Sequence, residues 1–327
     1  MRTVSRKAYV WAKIAKANTP IVRRVRLLKR EPQVPSYDGR RILSATEAND
    51  FLRERIAADV PTSAGKIGDV ELGVLVKYEQ ADHDPDEFFD AISRRGPELD
   101  LLHLNAGVFP KEPSALLHWA DTYLASLSSL DLLAVWFNAG EKEIAGKYAA
   151  SASLARIEGI EPYYHENPWT KELANRRVVA VTPFAATVAQ QWATRTGAAL
   201  FPGNPFVLPR FALRIVRAPF SAGLRPPSHP NWAAALAHLK NEVAAEDFDI
   251  ALIGAGAFSL PLCSFIREEL GQSAVHLGGG LQLLFGIRGR RWKGRPAISR
   301  LFNENWIHPL PDETPRARWK MEGGAYW

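Results

Sequence analysis

Ile250-Ala251-Leu252-Ile253-Gly254-Ala255-Gly256, then the helical pattern of Pro261–Leu270, then Ser273-Ala274-Val275-His276-Leu277-Gly278-Gly279-Gly280, is the stretch on which the fold turns. A short apolar run, a glycine turn, a helix and a second apolar run ending in glycines spell a strand–helix–strand unit. The same alternation extends outward. Strands are expected at Leu99–Leu104, Leu130–Phe137, Arg177–Thr182 and Ala212–Arg217, and helices at Ser114–Leu127, Ala185–Thr196 and Asn231–Ala245. Strands interleaved with helices of this length indicate an α/β fold, here a Rossmann-like, mostly parallel sheet with helices on both faces. The expected organisation is one domain over residues 42–327, C-terminal tail included, preceded by a basic arm over residues 1–41. In open sheets of this kind ligands bind beyond the carboxyl ends of the strands, so the chemistry is sought in the loops that follow them.

Composition narrows the classes. A chain of 327 residues, 46% hydrophobic and with 15 Phe, 10 Trp and 8 Tyr, has ample material for a packed core and is not a disordered chain. Its single cysteine, Cys263, excludes a disulfide framework and a cysteine-built zinc site, and fits a reducing compartment. The long charge-free run Ile250–Ile266 falls short of the ~20 apolar residues a membrane span needs and is broken by Gly254, Gly256 and Pro261. A cytoplasmic protein, at most peripheral to a membrane, is expected. The net charge of +6 is uneven: residues 1–41 hold twelve Lys/Arg against Glu31 and Asp38, which leaves the remainder at −4. Val10, Trp11, Ile14 and further apolar residues punctuate the arm, so residues 1–40 are expected to touch an anionic membrane surface. A solvated extension packed on its own domain is the equal alternative. Nucleic acid is not an expected partner, because the acidic body offers no second basic face except the cluster Arg288–Lys293.

Three segments can carry chemistry. Lys66-Ile67-Gly68-Asp69-Val70-Glu71 places two carboxylates at i and i+2, on one side of the chain if the backbone is extended. With a glycine beside them, such a pair suits a hard divalent cation that also holds a diphosphate; the spacing alone favours a solvated turn before a strand or helix. Gly254-Ala255-Gly256-Ala257-Phe258-Ser259 follows a strand and precedes a helix, where backbone N–H groups can meet a phosphate. The acidic residue that would hold a ribose about 20 positions further on is missing, which argues against NAD and S-adenosylmethionine. In His276–Gln282, Gly278, Gly279 and Gly280 expose backbone amides after a strand. Arg288, Arg290 and Arg291 follow, able to hold phosphate oxygens bidentately. Asn105 follows the expected strand Leu99–Leu104 and either lines the crevice or makes an Asx-turn. No paired-histidine metal motif, nucleophile elbow or P-loop occurs.

In its order of segments the chain resembles bacterial glycosyltransferases of the GT-D fold. Lys66–Glu71 is similar to their R-x-G-D-G-E segment, with Lys66 in place of arginine and Val70 in place of the second glycine. Pro168-Trp169, Val181-Thr182-Pro183-Phe184 and Gly254–Trp292 resemble segments of GT-D-like proteins from surface-polysaccharide contexts, so that the likeness spans about residues 45–295. The resemblance implies that Asp69 and Glu71 form a D-x-E pair that holds a divalent metal (Mn2+ or Mg2+) and a nucleotide-sugar diphosphate.

The expected function is therefore metal-dependent transfer of a sugar from a nucleotide-sugar donor to a glycan, lipid-linked or protein acceptor. Asp69 and Glu71 would be catalytic and metal-binding. The substrate would be held by Lys66, Gly68, Asn105, Gly254, Gly256, His276, Gly278, Gly279, Gln282, Arg288, Arg290 and Arg291. The rival is a non-catalytic nucleotide- or glycan-binding module on the same fold, favoured by Val70 and by the lack of a recognisable general base. A methyltransferase-like use of the Gly254 loop stands third.

Overall fold

Val178-Val179-Ala180-Val181 has the β-branched, wholly apolar composition of a strand covered on both faces, and all four residues are buried. The computed structural model describes residues 33–94 and 97–327. Residues 1–32 lie outside them, and with them most of the basic arm and its expected membrane contact. The strands are β1 (Ser36–Tyr37), β2 (Arg40–Leu43), β3 (Ser63–Gly65), β4 (Leu132–Val135), β5 (Ser153–Arg156), β6 (Arg177–Thr182), β7 (Ala212–Arg217), β8 (Ile250–Ile253) and β9 (Ser273–His276). They form one nine-stranded sheet in the order β1-β2-β5-β4-β3-β9-β8-β6-β7. Every pairing is parallel except the hairpin of β1 with β2. This is a Rossmann-like α/β domain.

Alternate residues of the strands serve two core layers, one on each face. Along β8, Ala251 and Ile253 belong to one layer and Ile250 and Leu252 to the other. The first layer packs the helices Asp69–Gln80, Pro113–Ser126, Trp232–Ala244 and Ser259–Glu268. The second holds the helices Ala45–Ala57 and Ala185–Thr194, Trp169, Trp292 and Trp306. From β3 the chain moves one way through β4 and β5, then crosses to fill the other half and ends beside β3 with β9. The β3/β9 junction is thus the topological switch point, where the loops leaving the two halves diverge and leave a crevice.

Two expectations fail for identifiable reasons. Leu99–Leu104 is not a strand: Glu98–Leu101 is a helical turn that continues as a π-helix over Leu102–Ala106 and ends at Gly107, with φ of +89°. The run is leucine-rich without a β-branched residue, and leucine is among the better helix formers. The arm is also shorter than expected. Residues Ser36–Leu43 add β1 and β2 to the sheet edge, where Arg40 donates to the carbonyls of Ala145, Ala149 and Ala152 at 3.1, 2.8 and 2.6 Å. Arg40 is thus tied into the domain.

Candidate functional site

Loops leaving the carboxyl ends of β3, β4, β6, β8 and β9 enclose a cleft of about 610 Å³, within the usual range for a small-molecule site. Of the sequence candidates, it brings together Lys66, Gly68, Asp69 and Glu71 after β3, and Gly254 and Gly256 after β8. His276, Gly278, Gly279 and Gln282 come from the end of β9, Asn105 from the π-helix, and Arg291 from further along the chain. Arg288 and Arg290 do not line it. Arg290 points away, donating to the Gly323 carbonyl at 3.2 Å with its guanidinium over the Trp319 ring.

The carboxylate pair differs from its expected geometry. Asp69 and Glu71 are not extended; they open the helix Asp69–Gln80, with Gly68 as its N-cap. Residues i and i+2 of a helix point about 200° apart, and accordingly Asp69 is exposed whereas Glu71 is buried. The Glu71 carboxylate folds back over Gly68, where an added Cβ would lie 2.1 Å from its oxygen. That explains why a glycine must stand there. Val70 packs against the core layer below, so the bulk found in place of a glycine is accommodated.

Burial raises the Glu71 pKa to about 7; the Asp69 and Glu322 carboxylates push the same way, and its own backbone N–H opposes them. Glu141 is also raised to about 7 by burial, but its role is structural. It accepts from the backbone N–H groups of Trp136 at 2.9 Å and Asn138 at 3.3 Å and from the Tyr37 hydroxyl at 3.4 Å, closing the loop after β4. Glu71 is the one that lines the cleft.

Below the ordinary carboxyl value of 4.5, Glu71 is protonated folded or unfolded and costs nothing. As pH rises from there to about 7, the unfolded chain ionises first, and the cost of burying the charge grows until the folded-state pKa is passed. Glu71→Gln is therefore expected to stabilise the protein at pH 8, by on the order of 3 kcal/mol at ~1.4 kcal/mol per unit, and to be neutral at pH 4. Denaturant midpoints at the two pH values, with chelator present, check this; equal shifts at both would contradict it.

Opposite the carboxylates, Lys66 is buried with its Nζ 3.5 Å from Glu161 Oε1 and 4.9 Å from the Trp136 ring centre. Burial holds its ammonium below the usual lysine range, Arg291 adds to that, and Glu161 opposes it. Burial, helped by Lys66, lowers His276 to about 3, so its imidazole is neutral near pH 7; Nδ1 lies 3.3 Å from the Ile253 carbonyl. Arg291 donates to the Tyr326 hydroxyl at 2.8 Å and lies 3.8 Å from Glu322. The cleft thus carries interleaved charges of both signs beneath aromatic walls that include Trp136, Phe184, Phe220, Trp292 and Trp327.

The glycines prove to be packing devices as well as openings. An added Cβ on Gly254 would sit 2.7 Å from the Gly278 carbonyl, and one on Gly256, whose φ is +58°, 2.7 Å from that of Ala106. The two glycine loops therefore lock against neighbouring backbone. Sequence reasoning also missed a whole wall. Met321, Glu322, Tyr326 and Trp327, from the C-terminal tail, line the cleft, and Gln282 donates to the Tyr326 carbonyl at 2.7 Å. No local motif marks that tail; its role depends on contacts made across the fold.

No family model matches the chain, and neither does any curated protein. Among solved structures, a selenomethionine-substituted domain of unknown function 1792 (DUF1792) aligns over 83% of this chain and 92% of its own, at 13% identity and a TM-score of 0.37. A likeness that distant carries no function across. Among the described residues no helix is long and apolar enough to cross a membrane.

Proposed function

We propose that the cleft binds a nucleotide sugar and that the protein is a glycosyltransferase. The observation that carries this reading is the meeting, at the sheet's switch point, of the Asp69/Glu71 pair with Lys66 and Arg291 in a cleft walled by aromatic rings. The basic side chains would hold diphosphate oxygens, Arg291 through its fork and Lys66 as a point charge. Aromatic rings would cover the base or the sugar.

Both carboxylates line the cleft, Asp69 from the exposed side of the helix start and Glu71 from the buried side, so each could give an oxygen to a divalent cation without the two forming an i, i+2 clamp. Both are hard oxygen donors, and the charge on Glu71 is disfavoured by Asp69 and Glu322, a penalty a cation would relieve. Among the described residues no three His, Cys, Asp or Glu side chains gather at metal-binding distances. Mg2+ commonly binds through one or two carboxylates and completes its shell with phosphate oxygens and water. When bound, such an ion stabilises the charge developing on the departing diphosphate. Lys66 and Arg291 would supply the same kind of stabilisation from the chain itself.

The engagement of the remaining cleft carboxylates favours a second reading. Glu161 pairs with Lys66, Glu322 lies near Arg291, and His276 is neutral. Among the described residues, and with Asp69 and Glu71 given to a metal, no side chain stands out as the base for an acceptor hydroxyl, which suits a nucleotide- or glycan-binding module without transfer. Calorimetric titration with UDP, with and without Mn2+, decides the donor site. Binding that needs the metal supports the transferase; metal-independent binding, or binding of S-adenosylmethionine instead, overturns the metal-dependent assignment.

A further inference from the structure

The chain beyond residue 41 is acidic as a whole, yet residues 288–320 hold nine Lys/Arg against three acidic residues, of which Glu313 is fully buried. Two of these basic residues, Arg290 and Arg318, gather on one exposed side chain. Trp319 is 54% exposed, more than any other large hydrophobic residue described. Two guanidiniums lie over its ring, Arg318 at 4.6 Å and Arg290 at 5.6 Å, and the backbone of Gly324 packs beneath it. The contact of Arg290 with Trp319 joins the segment after β9 to the C-terminal tail. Both segments border the cleft, through Arg291 and Arg295 on one side and Met321 and Glu322 on the other. A basic, indole-bearing surface therefore forms the rim of the proposed donor site.

We propose that this rim docks on an anionic lipid surface and presents the mouth of the cleft to the bilayer. Charge complementarity selects an anionic partner, each basic residue near such a surface contributing about a fivefold gain in affinity. The exposed indole selects a lipid one. Tryptophan settles at the headgroup layer, where its apolar body is buried and its polar edge stays wet, and arginine stems cover apolar surface while their heads reach phosphate. Stacking on a base or a sugar would compete with the guanidiniums and backbone already on the ring; insertion of its exposed edge among headgroups keeps those contacts. The inference does not depend on transfer chemistry, and it rests on residues other than those of the basic arm.

The test uses the full chain and vesicles of phosphatidylcholine with or without phosphatidylglycerol. Arg318→Gln and Lys320→Gln remove the two charges that flank Trp319 in the chain, from residues that do not line the cleft. Together they are expected to weaken co-sedimentation with the anionic vesicles about 25-fold, at roughly fivefold each, while UDP affinity is unchanged. Brominated phosphatidylglycerol should quench tryptophan fluorescence less in Trp319→Phe than in the parent. Because both variants keep residues 1–41 intact, a loss belongs to the rim. Equal sedimentation of the double variant overturns the proposal. So does equally tight binding to single-stranded nucleic acid or an anionic polysaccharide with no quenching at Trp319, which would make the rim a general polyanion surface. If UDP fails to bind while vesicle docking responds as described, the donor-site reading falls and the docking surface stands.

Discussion

Asp69→Asn and Glu71→Gln are each expected to depress metal-dependent sugar transfer by on the order of a hundredfold to a thousandfold, the scale on which one preorganised electrostatic stabiliser acts. Both substitutions preserve size and remove the charge that would hold a divalent ion. For Glu71 the expected result has a second half that makes it diagnostic. The same change should raise stability above pH 7, because the buried charge is disfavoured where it stands. A side chain retained at a cost to folding and needed for turnover is what a functional site predicts. Glu141 provides the contrast: equally raised by burial, it closes a loop through backbone N–H groups. Glu141→Gln, which keeps an acceptor for those N–H groups, should leave turnover near that of the parent. Turnover with a labelled nucleotide sugar, beside denaturant midpoints for the three variants, checks the pattern. Full activity in Glu71→Gln would remove the D-x-E assignment whatever its stability.

The long strands and helices were legible because their composition allows little else. Arg177–Thr182 and Ala212–Arg217 form strands with the expected bounds, and the helices expected at Ser114–Leu127 and Asn231–Ala245 differ by a residue at either end. The central strand β3 was not legible. It is Ser-Ala-Gly, and a Cβ on Gly65 would lie 2.6 Å from Leu260 of the helix packed on it. Small residues are needed there for that close approach, and they carry no hydrophobic pattern to read. Spacing marks the carboxylate pair without fixing its backbone, since D-x-E is compatible with an extended chain and with the helix start that the structure shows. Composition likewise does not tell which arginine of the run Arg288–Arg291 faces the cleft: Arg291 does, while Arg290 is held by the Gly323 carbonyl and the Trp319 ring.

The C-terminal tail, the least legible part of the chain, is held to the domain by a buried carboxylate. The helix Ala185–Thr194, which follows β6, has no side-chain cap from its own N-cap residue, Phe184. Its first N–H groups are met from far along the chain by Glu313, which is wholly buried. Glu313 Oε1 accepts from Ala186 N at 2.7 Å; Oε2 accepts from Thr187 N at 2.9 Å and from the Thr187 hydroxyl at 2.5 Å. A carboxylate at this position also faces the positive end of the helix dipole. That arrangement occupies the helix N-terminus, so it is not a phosphate site. It also anchors the tail, because the Trp327 indole donates to the Glu313 carbonyl at 2.8 Å, and Trp327 lines the cleft. Glu313→Ala should therefore destabilise the protein by about 3 kcal/mol, the range of a hydrogen bond to a charged group plus a lost helix cap. Glu313→Gln retains one acceptor and should cost less. Because Glu313 is one of several anchors of the wall containing Glu322, Tyr326 and Trp327, beside Gln282 and Arg291, UDP affinity should fall in Glu313→Ala although Glu313 itself does not line the cleft. Denaturant midpoints and calorimetric titration on the two variants test both halves. A destabilised Glu313→Ala that binds UDP as the parent does would show that the tail is anchored elsewhere, or that it does not wall the nucleotide site.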